Sequence, residues 1–365
     1  MNKYAISRII WGLSLMLAAS SAHSQDPNFS QFFNTPIYYN PAFTGLNSGL
    51  RARFTYRDQW ASLPVDFRSY NFSADLGDRS LPGSGGLGLT VNSDNEGLGF
   101  INNLSIGLTV SVRIPLSNSL ISQFGIKAAF IQRSLNWNDF VFTDQFSEKY
   151  GNINPSSFQQ PDISNRTLPD FGAGGLLQYS NETSSVNGTI GFAIDHLFQP
   201  DESFLGTDKS PLPRKMVIHT DFIITTGSGY STNYNTTIRG VGDPLKLNPG
   251  LIYQNQNGLN SLQIGMNLLK FNVYLGAWYK NSMKPNAASA LALLAGYRYF
   301  FAEDMSIKFM YSYDMQIAGP LQGAGGSHEV SLILEFGKLQ IFGKGGGYTP
   351  KTSSKKYSPI ECSSF

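Results

Sequence analysis

Cysteine, charge and long apolar runs are all scarce in this sequence. One cysteine, Cys362, stands among 365 residues, so no intrachain disulfide can hold the fold. It reads as an incidental thiol, with an intermolecular or modification site as the alternative. Charged residues make up 14% of the chain, against roughly 25% in ordinary soluble domains. A formal net charge of +2 is too small to point to nucleic acid. After residue 24 no apolar run approaches the ~18 residues that would argue for a membrane helix. What is plentiful is aromatic residues, at 13%, and glycine, with 37 residues. That balance suits an all-β chain with many turns and one face that meets something other than water.

The first 24 residues have the plan of a secretory signal. Lys3 and Arg8 form a basic start, Ile9 to Leu17 is mostly apolar, and Ala22-His23-Ser24 supplies the small–x–small cleavage pattern. The apolar part is far shorter than the ~20 residues of a spanning helix. Cleavage is expected before Gln25, and no nearby cysteine invites a lipid anchor.

Beyond the signal the recurring pattern is period-two alternation, the mark of a strand with two unlike faces. Leu104, Ile106, Leu108, Val110, Val112 and Ile114 alternate with Ser105, Gly107, Thr109, Ser111 and Arg113. Similar patterns occupy 124–131, 262–268, 307–314 and 330–336. A soluble sandwich also alternates, but three features favour a membrane barrel. The strands are about ten residues long, as a tilted bilayer crossing requires. Aromatics gather at strand ends, as at Tyr56 and Trp60, Trp137 and Phe140, Trp278 and Tyr279, and Tyr297, Tyr299 and Phe300. The polar face carries charges that a hydrocarbon contact would not tolerate and a water-filled lumen would.

Strands are expected near 49–58, 69–76, 86–92, 103–116, 121–134, 169–180, 187–197, 214–226, 245–255, 261–269, 272–280, 289–300, 305–315 and 327–337. The fold class is therefore all-β, a transmembrane antiparallel β-barrel of about 14 strands, an even number as bacterial single-chain barrels prefer. Connections alternate between mostly short ones and long ones at 135–168 and 198–213, which orients both termini towards the periplasm. The turns at 77–85 and 227–244 are longer than that rule predicts. The expected layout is a signal peptide at 1–24, a periplasmic lead-in or plug at 25–48, an outer-membrane barrel at 49–337 and a basic periplasmic tail at 338–365. The tail reads as solvated and disordered, or else as a docking segment for a periplasmic partner. Arg51, Arg53, Lys127, Arg298, Lys308, Asp314 and Glu335 are candidate lumen charges. They either serve a channel or pair with one another, since unpaired buried charge is costly.

Signals of enzyme chemistry are weak. Gly83-Ser84-Gly85-Gly86-Leu87-Gly88 has dinucleotide-loop spacing but leads into another alternating strand rather than a helix. Asn92 to Gly97 only faintly resembles a calcium loop, having Asn103 where Glu is needed, and reads as a polar outer loop. His196, His219 and His328 have no companions at metal-ligand spacing. A hydrolase using Ser203 or Ser327 with a histidine is a remote alternative, and Ser327 and His328 belong on opposite faces of a strand. No enzyme activity, metal or cofactor is expected.

Several segments together resemble the PorP/SprF membrane proteins of the type IX secretion system. The mature start, Asp26-Pro27-Asn28-Phe29-Ser30-Gln31-Phe32-Phe33, is one, followed by Asn40-Pro41-Ala42-Phe43-Thr44-Gly45. Others are Tyr56-Arg57-Asp58-Gln59-Trp60, Asn136-Trp137 with Phe142-Thr143-Asp144-Gln145, and Pro169 to Gly174. His196 with Gln199-Pro200-Asp201-Glu202-Ser203-Phe204, Leu212-Pro213-Arg214-Lys215 leading to His219, and Gly326-Ser327-His328-Glu329-Val330 complete the set. The resemblance spans Asp26 to about Gly337. It implies an outer-membrane role in type IX secretion and, in some members, gliding motility. The implied partners are outer-membrane lipids, the C-terminal targeting domain of an exported adhesin and periplasmic secretion lipoproteins. It supplies no catalytic residue. Trp60 and Trp137 are read as girdle anchors, and Pro41 and Gly45 as turn formers, against a partner-binding role. The alternative function is a diffusion channel or small-molecule transporter, which the ~14-stranded size permits.

Overall fold

The computed structural model describes residues 26–337, except for 64–66, 78–83, 98–100, 138–139, 148–150, 153, 160, 162, 181–184, 205–208, 227–243, 284–287, 303 and 320–322. The expected signal peptide, the basic tail with Cys362, Gly83 and nearly all of the 227–244 turn lie outside the described residues.

Alternating apolar and polar residues form strands because successive side chains point to opposite faces. The strands in chain order are β1 (Gly49–Gln59), β2 (Arg68–Gly77), β3 (Ser84–Glu96), β4 (Ile101–Pro115), β5 (Leu120–Leu135), β6 (Phe146–Ser147), β7 (Gly151–Asn152) and β8 (Asn165–Tyr179). Then follow β9 (Val186–Asp195), β10 (Lys215–Thr226), β11 (Leu245–Gln256), β12 (Leu259–Lys270), β13 (Val273–Asn281), β14 (Ser289–Ala302), β15 (Met305–Ala318) and β16 (Ser327–Phe336). All but β6 and β7 close into one antiparallel barrel in which β1 pairs with β2 on one side and β16 on the other. That makes 14 barrel strands, each at a position the alternation predicts. The β6–β7 pair is a small hairpin inside the long loop between β5 and β8.

The alternation is inverted relative to a soluble sandwich, and this decides between the two. Along β4, Leu104, Ile106, Leu108, Val110, Val112 and Ile114 are exposed, while Thr109 and Ser111 are buried. On β5, Phe124, Ile126 and Phe130 are exposed and Gln123 is fully buried. A water-soluble monomer does not expose a continuous apolar belt of this extent. A barrel in lipid must, because its outward face meets hydrocarbon. Tyr297, Tyr299 and Phe301 stand exposed at one end of β14, where an interface girdle belongs.

β1 begins and β16 ends at the same end, where Leu50 pairs with Phe336. This is called the terminal end, and the opposite one the far end. The long connections, 136–164 and 196–214, lie at the far end, in keeping with the alternation of short and long connections.

Four readings of the sequence change. Asn92–Glu96 is not an outer loop but the last stretch of β3, with Ser69 and Asn71 of β2 bonded across to Asp94 and Asn92. Trp278 is not a girdle residue: it points inward at 1% exposure, because the lumen offers it aromatic partners. Trp137 lies in the far-end loop, tilted against Phe140 and Phe158 and edge-on to Phe204, with its indole N–H donating to the Ile163 carbonyl. The lumen is not simply water-filled, because residues 26–47 run through it.

Candidate functional site

The residues that converge in this barrel do so on the amino-terminal segment. Asp26 bonds to residues at the far end of the barrel. Gly45 bonds to Asp75, close to where β2 ends at the terminal end. The segment therefore threads the lumen from one end to the other before β1 begins. Of the two readings of 25–48, lead-in and plug, this geometry is that of a plug. The two ends of the barrel wall lie together, but the described chain starts opposite them. The expectation that both termini share one side is therefore not met at residue 26.

The segment's own sequence explains its shape. Pro36 opens a single helical turn, α1 (Pro36–Tyr39), as proline can at a position whose N–H needs no partner. Asn40 then caps a 3-10 turn over Pro41–Phe43, its Oδ1 accepting from the Ala42 N–H at 2.9 Å. The chain reverses through Gly45 at φ +59°, where a Cβ would meet the Gly86 Cα at 2.5 Å. Backbones approach this closely only without side chains. Pro41 and Gly45 thus do form turns, but the turns seat the plug against the wall.

Three polar clusters hold the plug. At the far end, the Asp26 carboxylate accepts from Lys215 Nζ at 3.1 Å and from His196 Nε2 at 3.0 Å, while its own N–H donates to Gln256 Oε1. His196 Nδ1 reaches Asp170 at 2.9 Å, so both ring nitrogens face carboxylates. Burial opposes the charge on His196, but Asp26 and Asp170 prevail and push its pKa up to about 10. Burial likewise opposes the Asp26 charge, yet Lys215 and His196 hold that carboxyl well below its usual range.

The second cluster pairs two cations with two carboxylates and is largely enclosed. Glu329 of β16 accepts the backbone N–H groups of Ser30 and Gln31 at 2.7 and 2.8 Å. Arg57 of β1 donates to Glu329 at 3.0 Å and to Asp314 of β15 at 2.8 Å. Lys280 of β13 adds bonds to Asp314 and to the Ser30 hydroxyl. Four wall charges thus satisfy one another while gripping two plug residues, which buried charge requires.

In the third, Asn40 donates to His219 Nε2 at 3.0 Å and to the Gly175 carbonyl at 3.2 Å. Asn40 Oδ1 occupies the space where a Gly174 Cβ would stand, so that glycine is the seat for the asparagine. Between the clusters an apolar core joins Phe29, Phe32, Tyr38 and Tyr39 of the plug to Val217, Ile252, Tyr274, Trp278, Leu294 and Met310 of the wall. Phe32 meets Trp278 edge to face at 5.1 Å.

The other candidate residues are distributed as follows. Arg51 pairs with Glu335 at 3.3 Å, Arg53 with Asp75 at 2.5 Å, and Lys127 with Asp195 at 2.5 Å. Arg298 reaches Glu335 at 3.7 Å, and Lys308 is buried in the wall beside Tyr274. Asp58 and Gln59 end β1, and Trp60 follows at φ +58°, packed edge-on to Phe67. Asp144 accepts from the Ser156 and Ser157 hydroxyls, and Gln145 Oε1 accepts the Phe142 N–H, so both organise the β5–β8 loop. The Pro200 carbonyl and Ser203 N–H tie the β9–β10 loop to itself. His328 faces outward against Tyr311 and Tyr313, opposite the inward Ser327. Among the described residues, no hydrogen bond joins Ser203 or Ser327 to a histidine.

Sequence reasoning missed Asp26, Ser30, Asn40, Lys215 and Lys280 as members of these clusters. Asp26, Ser30, Asn40 and Lys215 stood inside the family-like segments. Lys280, beside Tyr279, carried no signal of its own.

Among solved structures, the chain is similar to a Pseudomonas aeruginosa FadL homologue, at 13% identity and a TM-score of 0.41 over 83% of this chain and 94% of that one. It is also similar to the CymD monoaromatic hydrocarbon channel, at 11% and 0.41 over 83% and 92%. A third is the outer membrane protein Omp33 of Acinetobacter baumannii, at 7% and 0.36 over 80% and 99%. No curated protein sequence matches the chain. The family model described as type IX secretion system membrane protein PorP/SprF matches residues 21–334, which include every cluster that holds the plug. This outer-membrane β-barrel belongs to the PorP/SprF family of type IX secretion system membrane proteins.

Proposed function

We propose that the protein is a non-enzymatic component of type IX secretion that binds an exported surface protein, such as an adhesin, through that protein's C-terminal targeting domain. Periplasmic secretion lipoproteins are the proposed partners on the inner side, and gliding motility is a proposed downstream role. In this reading residues 1–24 are removed on export, the terminal end faces the periplasm, and the long 136–164 and 196–214 loops face outward.

The observation that carries the proposal is the filled lumen. Phe29, Gln31, Ile37, Asn40, Ala42 and Thr44 are all essentially unexposed inside the barrel. A partner is therefore met at the rims and loops, not conducted through the wall. A diffusion channel, the competing reading, requires three charged or polar clusters to release together.

The test is purification of the intact protein in mild detergent from its own cells, with mass spectrometry of what accompanies it. An exported protein bearing a C-terminal targeting domain, or secretion lipoproteins, is the expected companion. A barrel that comes away alone under gentle conditions counts against the proposal.

A further inference from the structure

We infer that the barrel wall opens sideways between β10 and β11 once the plug withdraws, and that the seated plug keeps this seam shut through Trp278. The inference is independent of the secretion reading, since it concerns only how plug and wall depend on each other.

The seam begins with one proline. β10 pairs with β11 from Lys215↔Gln256 to Asp221↔Gly250 and resumes at Ile224↔Leu247, so the rungs at Phe222 and Ile223 are missing. On their other side both residues pair normally, with Gly188 and Asn187 of β9. The register is the same on either side of the break, which puts Pro249 opposite Phe222. Proline has no N–H to give, and a strand paired on both sides is not where it usually stands. The other irregularities among the described ladders, at Ser84/Gly86 and at both ends of β14, lie near strand ends. Phe222 and Met266, across from Pro249 on its two sides, are exposed on the outside, so the break lies in the apolar belt.

On the lumen side a chain of side chains stands in for the lost donor. Asn248 Nδ2 donates to the Phe222 carbonyl at 2.7 Å. Asn248 Oδ1 accepts from Asn267 Nδ2 at 3.3 Å, and Asn267 Oδ1 accepts the Trp278 indole N–H at 2.8 Å. All three residues are buried. Glycines make room for them: a Cβ at Gly265 would meet the indole at 2.6 Å, and one at Gly276 would meet Asn267 Oδ1 at 2.2 Å. Phe32 and Phe33 of the plug lie against the same indole, with ring centres 5.1 and 5.7 Å away. The plug therefore covers the inner end of a relay whose outer end is the broken rung.

Such a relay holds only while each buried member keeps its partner. With Phe32 and Phe33 gone, water reaches the indole and competes for Asn267 and Asn248. The Phe222 carbonyl then loses its donor, and the seam is the first stretch of wall to separate. Behind it lies a cavity of about 60 Å³ lined by Asp221 and Asn248 of the seam and by Phe32 and Phe33. Opening joins that cavity to the hydrocarbon around Phe222 and Met266.

The test is hydrogen exchange of the intact protein in detergent, read by mass spectrometry over 220–226 and 246–251, with 104–112 of β4 as the reference. Asn267→Leu is close in volume and removes the relay, while Phe32→Ala removes a ring that covers Trp278. Each should speed exchange across the seam at least about tenfold, the effect of roughly one lost hydrogen bond, and the reference by less than about twofold. Pro249→Val restores a backbone donor and should cancel most of the effect of Phe32→Ala. The heat-modifiable gel shift of a folded barrel checks each variant, and Phe32→Leu takes the place of Phe32→Ala if the latter does not fold. Unchanged seam exchange in both substituted proteins overturns the inference. So does equal acceleration in seam and reference, which is general loosening, or a Pro249→Val substitution that restores nothing.

Discussion

At the scale of single residues, four of the motif side chains have a common task. Arg57, His196, His219 and Glu329 lie far apart in the chain, yet each touches the plug or a group that holds it. Along the sequence they offered no shared chemistry, because none stands at metal-ligand or catalytic spacing. Their chemistry is the pairing of buried polar groups. The far-end latch makes this measurable. His196 is raised above its ordinary 6.5 to about 10, so its contribution is complete below about 6.5 and lost as pH rises through about 10. Asp26 is depressed below its ordinary 3.8, so its contribution is complete above that value and lost only in strong acid. The latch therefore holds across neutral pH and opens on the alkaline side. An NMR titration of the His196 ring should give a pKa near 10, and Asp26→Asn should lower it by at least about one unit. An imidazole titrating near 6.5 in the unsubstituted protein would show that the latch does not form.

At the scale of elements, two different rules operate. The barrel strands follow period-two alternation, which is local, so their positions were legible within a few residues. The plug follows no period. Its 3-10 turns and the single turn of α1 depend on prolines, a cap and close backbone approach to particular glycines. Gly125 shows this dependence best: a Cβ there would collide with the backbone of Pro41, which cannot rotate away. Gly125→Ala should destabilise the folded barrel by about 1–3 kcal/mol, the usual cost of overpacking. It should also unseat residues 40–45. Thermal unfolding followed on a heat-modifiable gel gives the first quantity, and protease susceptibility near Asn40 the second. A protein unchanged in both would show that the plug does not pack at Gly125. The Trp278 misreading belongs at this scale too. An aromatic at a strand end looks the same in sequence whether it faces lipid or a plug.

At the scale of the whole molecule, the plug turns a barrel of channel size into a closed body. The intact protein should be electrically silent in a planar bilayer. Deleting residues 26–44 should produce a steady conductance, because the aromatic core and all three clusters lose their inner partner. Equal conductance with and without the segment would mean that the lumen is not blocked by it.

By itself the sequence determined an outer-membrane barrel: how many strands it has, where they lie and which side chains face lipid. Side-chain direction in a strand is set by parity, and parity is visible in one dimension. The lumen charges were visible as a set, since they occupy the polar parity. Only the tertiary structure decided what fills the lumen and which groups meet there. Arg57 and Asp314 are 257 positions apart, and Ser30 and Glu329 are 299 apart. No local pattern encodes such pairs. They arise because barrel closure brings β1 against β16, and because residues 26–47 are enclosed in the lumen.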